Sequence, residues 1–141
     1  MSDLLSDGVR DGSHLDFLAR LRAANLRRAG QQTSFGIIDW TPADWAVNLA
    51  GEVGEALNVL KKMRRLSTWE HYDIATIFGE ADSFEAAEMR RLEAHFADEL
   101  ADAMICLDLL AARMRLDLAI IVARKFNKTS ALWNSPVRLD P

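Results

Sequence analysis

The chain has 141 residues and a mass of 15.8 kDa, one domain's worth of protein, and its 50% hydrophobic content excludes a disordered polymer. A formal net charge of −4 and a pI near 5.3 exclude a global basic field, so no nucleic-acid partner is expected. The single cysteine, Cys106, excludes an intrachain disulfide and the usual cysteine zinc sites, and reads as a small buried hydrophobe. With 7 glycines and 3 prolines against abundant alanine and leucine, the composition points to an all-α fold.

Residues 1–12 read as a flexible N-terminus without the features of a signal peptide, and no apolar run approaches a membrane span. A cytoplasmic chain with no membrane partner is the expectation. From Ser13, Leu15, Leu18, Leu21 and Leu26 recur at helical spacing with Phe17 alongside, predicting a helix that ends near Gly30. Residues 31–40 have loop composition with large apolar side chains, expected to pack over the helices or close on a ligand. Thr41-Pro42-Ala43-Asp44 is a helix start, with a threonine cap, proline at the first helical position and an acid in the first turn. That helix is expected to reach about Arg65. Periodicity then breaks in an irregular excursion over 66–83. Ser83 and Glu85 open a third, long helix to about Arg115, and Asp117 caps a fourth with Leu118, Ile121, Val122 and Phe126 on one face. The domain is thus placed at 13–134, as a four-helix bundle, with an extended tail over 135–141.

Two acidic pairs stand out. Glu52 and Glu55 lie in GEVGEALNVLKK, Glu99 and Asp102 in DELADAMICL, at a constant offset of 47 residues. At about 100° per residue, Trp45, Leu49, Val53, Ala56, Leu60 and Met63 share one arc, with Glu52 inside it and Glu55 at its edge. Leu92, Phe96, Leu100, Ala103, Leu107 and Leu110 make the same arc on the third helix, with Glu99 inside and Asp102 at the edge. An isolated carboxylate on a buried face costs several kcal/mol or takes up a proton. Four on facing helices are explained by a divalent cation. Hard oxygen donors suit magnesium, manganese or calcium, and with no histidine read near either pair, zinc and copper are disfavoured. Asp98 and Asp108 lie off the arc and read as ordinary exposed or paired acids.

The flanks extend the reading. Gly51 and Gly54 each cost up to about 1 kcal/mol in a helix, which makes sense where a ligand or another backbone approaches, or at a tight helix crossing. Asn58, Lys61 and Lys62 follow Glu55 as donors to phosphate oxygens, although a basic helix end is more commonly solvated. Lys125, Asn127 and Lys128 flank Phe126, which is expected in the core.

Together, GEVGEALNVLKK and the stretch from DELADAMICL through ARKFNKTS resemble the MazG-like branch of the all-α nucleoside triphosphate pyrophosphatases, relatives of the dimeric dUTPases and dCTP pyrophosphatases. The resemblance spans roughly Ala23 to Ser130. It implies the four-helix bundle of that family, assembled as a dimer or dimer of dimers. Glu52, Glu55, Glu99 and Asp102 then map onto the catalytic magnesium ligands, with manganese as a substitute. Asn58, Lys61, Lys62, Lys125 and Asn127 map onto contacts to a nucleoside triphosphate substrate. The implied reaction is hydrolysis of a (d)NTP to (d)NMP and pyrophosphate, in nucleotide-pool house-cleaning. The 43 residues between Glu55 and Glu99 are longer than the family leads one to expect. The excess falls near Trp69–Asp82, where His71 and Tyr72 are candidates to line the base pocket, although a packed loop is the commoner reason for such residues. Two other classes accommodate the same residues: a non-catalytic magnesium- and nucleotide-binding bundle, and a helical interaction module whose acids meet a basic partner.

Overall fold

In the computed structural model the described residues are 13–31, 39–66 and 84–140, with side chains described except at 13–16, 84 and 85. The expectations for the N-terminus, the 32–38 loop with Ile37 and Ile38, most of the 66–83 excursion with His71 and Tyr72, and a Ser83 cap lie outside them. Among the described residues there are four helices, α1 (Ser13–Gln31), α2 (Pro42–Leu66), α3 (Phe84–Arg113) and α4 (Leu118–Leu132), and no strand. None of these helices is long and apolar enough to cross a membrane. The chain divides into two compact units: Thr41–Leu107, and α1 together with the chain from Asp108 onward.

In the first unit, α2 begins as its sequence predicts. Thr41 and Asp44 cap one another: the Asp44 amide donates to Thr41 Oγ1 (3.3 Å), while the Thr41 amide (2.8 Å) and hydroxyl (2.7 Å) donate to Asp44 Oδ2. These bonds hold the Asp44 carboxyl below its ordinary range. The core joins Val59 and Met63 of α2 to Met89 and Leu92 of α3, with Leu66 and Phe96 packed around them. Trp45 and Ala56 are buried as well.

The buried strip is narrower than the predicted arc. Val53 and Leu60 of the α2 arc are exposed, as is Leu57 beyond its edge, and so are their counterparts at the 47-residue offset, Leu100, Leu107 and Met104 on α3. Two helices cover only a strip of each other, so the far side of a wide apolar arc needs a further neighbour. On α3 the bare stretch is local. Ala86 and Met89, earlier on that side, are buried, and Ala111, one turn beyond it, is buried again.

The second unit is tied by a buried polar cluster. Asp108, 1% exposed, accepts from Arg22 Nε (2.8 Å) and Asn25 Nδ2 (3.0 Å) of α1, and both Arg22 terminal nitrogens donate to the Leu116 carbonyl (3.2 Å each). Asp108 is therefore paired across helices, while Phe17 and Leu26 of α1 are exposed and Asn25 is buried. α3 ends in a Schellman turn, with Leu116 N–H on Ala111 O (2.9 Å) and Arg115 N–H on Ala112 O (3.0 Å); Arg115 takes the left-handed φ of 56°. Asp117 then caps α4 by accepting from Ile120 N–H (3.2 Å). The buried residues of α4 are Leu118, Ala123 and Ser130, whereas Val122 and Phe126 are exposed. Phe126 is thus not the core residue its spacing predicts; small side chains occupy the covered face instead. Residues 135–140 follow without regular structure.

Candidate metal centre

The repeated acids come from the middle of α2 and α3, where the two helices are held by the Val59–Met63–Met89–Leu92 core. Glu52 sits two turns before Val59 and Glu99 two turns after Leu92, so that core sets both helices for the acids. Glu52, Glu99 and Asp102 each place a carboxylate oxygen within 4.8 Å of the others'. Glu99 is buried at 8% exposure, Glu52 is half-buried and Asp102 is exposed, so the trio runs from protein interior to solvent. Glu55 is exposed and stands outside the trio, yet its charge acts on Glu52.

Burial, and then the negative charges of Asp102, Glu55 and Glu99, push the Glu52 carboxyl above its ordinary pKa; a bond from Asn48 offsets part of this. Two donors serve the buried end. His95 Nε2 lies 2.9 Å from Glu99 Oε1, one turn upstream on α3. Asn48 Nδ2 lies 3.4 Å from Glu52 Oε1, one turn upstream on α2, and 2.9 Å from the buried thiol of Cys106. The expectation that no histidine stands near either pair is therefore corrected. His95 is four residues before Glu99, outside the Glu-x-x-Asp motif but one helical turn from its first acid.

The trio fits a hard divalent cation. Oxygens bound to one ion at about 2.1–2.4 Å lie no more than about 4.8 Å apart, and all three donors are carboxylates. The repulsion registered at Glu52 is what a cation would neutralise.

The flanking residues divide. Asn58, Lys61 and Lys62 are exposed on α2, and Lys62 acts on Glu88 of α3, a carboxyl held below its ordinary range chiefly by Arg91. Lys125 is exposed and belongs to the other compact unit, as does Asn127. The Asn127 amide is engaged by the tail: Nδ2 donates to the Leu139 carbonyl and Oδ1 accepts from the Leu139 amide, both at 2.8 Å. Among the described residues a Cβ at Gly51 or Gly54 would meet nothing within 4 Å, so neither glycine serves a tight crossing there; both leave open space on the helix carrying Glu52.

Asn48 and His95 are the two residues that motif reasoning passes over. The offset of 47 residues that pairs Glu52 with Glu99 also pairs Asn48 with His95, so their signal was present in the repeat. No family model, curated protein or solved structure gives a significant match to this chain.

Proposed function

We propose that this chain is a magnesium-dependent nucleoside triphosphate pyrophosphohydrolase of the MazG-like all-α type. The observation that carries the reading is the convergence of Glu52, Glu99 and Asp102 from two helices onto a volume the size of one cation. Glu52, Glu99 and Asp102 would hold the ion, with Glu55 at the solvent edge to join them. When bound, magnesium or manganese supplies positive charge against the triphosphate and acidifies water. The chain's own part is to bind and orient. Asn58, Lys61 and Lys62 are donors to the phosphates, and Lys125 and Asn127 are assigned to the nucleotide by resemblance. Water adds to the α-phosphorus, the α–β anhydride bond breaks, and pyrophosphate leaves with the negative charge that lysines stabilise.

The same reading takes the fold to be a four-helix bundle that works as a homodimer or dimer of dimers in the cytoplasm. The support lies in the bare stripes Val53–Leu57–Leu60 and Leu100–Met104–Leu107, which flank the acids on both helices. Contiguous exposed apolar surface of this kind calls for cover.

Pyrophosphate release over a panel of dNTPs and NTPs, at several magnesium concentrations, tests the proposal and finds the base preference. Release with at least one nucleotide, abolished in Glu52→Gln and Glu99→Gln, is the expected outcome. Nucleotide binding without release from any base at any magnesium level refutes the enzyme and leaves a nucleotide-binding bundle. Absence of both binding and release leaves a helical interaction module.

A further inference from the structure

We infer that Asn48 and His95 are a matched pair of positioning residues for the carboxylate centre, one for each of its two inner glutamates. The inference rests on the cation reading of that centre and goes beyond it by assigning two residues outside the acidic motifs. Three observations carry it. Each residue is four positions before its glutamate, so each lies one turn away on the same helix face. Each places a side-chain nitrogen on Oε1 of that glutamate, at 3.4 Å for Asn48 and 2.9 Å for His95. The pair obeys the 47-residue offset that relates the two acid motifs, so the repeated unit is donor-x-x-x-Glu-x-x-acid.

The physical role follows from what a carboxylate does when it holds a cation. A glutamate has three rotatable bonds, and bringing two such side chains together against their mutual repulsion costs conformational freedom. A donor that engages one oxygen fixes the rotamer and leaves the second oxygen available. Asn48 is itself held, because its amide nitrogen also donates to the Cys106 thiol at 2.9 Å. The bond to Glu99 needs a hydrogen on His95 Nε2, which one neutral tautomer and the imidazolium both carry. Hydrogen-bond partners behind metal-bound carboxylates typically change cation affinity by about 10–100-fold when removed.

Calorimetric titration with MnCl2 alone, on the full chain without nucleotide, is the test. Asn48→Leu and His95→Leu are each expected to weaken Mn2+ binding by about tenfold or more. His95→Gln, which keeps a donor, is expected to stay within about threefold of the parent chain, and Asn48→Ala repeats the Asn48 test with a smaller side chain. Thermal unfolding without metal separates positioning from packing. His95 has a side chain 43% exposed and its replacement should leave the metal-free melting temperature nearly unchanged. Leucine variants that bind Mn2+ as tightly as the parent overturn the inference, as does a loss confined to metal-free stability. A parent chain that binds no Mn2+ removes the carboxylate centre itself, and the two positioning roles with it.

Discussion

Replacing Glu52 by glutamine tests the electrostatics of the centre in both directions. The Glu52 carboxyl titrates above its ordinary value because burial and three neighbouring acids disfavour its charge. A raised carboxyl pKa means that the folded chain binds this proton more tightly than the unfolded chain. The associated stability is therefore present below the unfolded value, about 4.3, and is lost as pH rises through the higher folded value. At neutral pH without metal, the charge is a liability. With oxygens within 4.8 Å of those of Glu99 and Asp102, each pair repels by about 0.9 kcal/mol at the dielectric constant of water. Removing both pairs, with salt screening and the half-exposed setting taken into account, leaves about 1 kcal/mol. Glu52→Gln should thus melt about 3 °C above the parent at pH 7 in chelator, and the difference should vanish near pH 4. Saturating magnesium should reverse the order: at ten times its Kd an ion adds about 1.4 kcal/mol to the parent and little to the variant. Scanning calorimetry at pH 4 and 7, with EDTA and with MgCl2, reads all four conditions. A variant less stable than the parent in chelator, or stabilised equally by magnesium, would refute the repulsive-cluster argument.

Elsewhere, Asp108→Ala leaves the Arg22 and Asn25 donors without their buried acceptor and should cost about 3 kcal/mol, read as a lower urea midpoint at unchanged slope. Arg115→Gly should stabilise by about 0.5–1 kcal/mol, because the left-handed φ of 56° at the end of α3 strains any side chain with a Cβ. Gly54→Ala meets open space and should stabilise the helix by up to about 1 kcal/mol in thermal melts; a simultaneous loss of nucleotide binding would mark that space as used. Leu57→Asp and Met104→Asp, on the bare stripes, should shift the chain to monomer in sedimentation equilibrium while circular dichroism stays helical; unchanged association sends the interface elsewhere.

The sequence by itself determined the elements that local chemistry controls. The threonine cap at Thr41 and the cap at Asp117 appear as read, because a cap is decided by a few adjacent residues; the return bonds from Thr41 to Asp44 are what the structure adds. The register of the acids was legible for the same reason: a helix converts spacing into direction, so Glu52 and Glu99 had to occupy equivalent places. Which part of each apolar arc is covered belongs to the tertiary structure. It set the core at Val59, Met63, Met89 and Leu92 and left Val53, Leu60 and Phe126 in solvent, because burial depends on how many neighbours a helix has. It also turned Asp108 from an acid off the arc into a fully buried, paired charge, since its partners, Arg22 and Asn25, are more than eighty residues away in the chain. At the centre the division is finest. The repeat carried the four acids and, unread, Asn48 and His95, while three-dimensional packing drew Glu52, Glu99 and Asp102 into one cluster and left Glu55 at the edge in solvent. Periodicity specifies the face of a helix, and only the packing of one helix on another specifies which side chains on two faces meet.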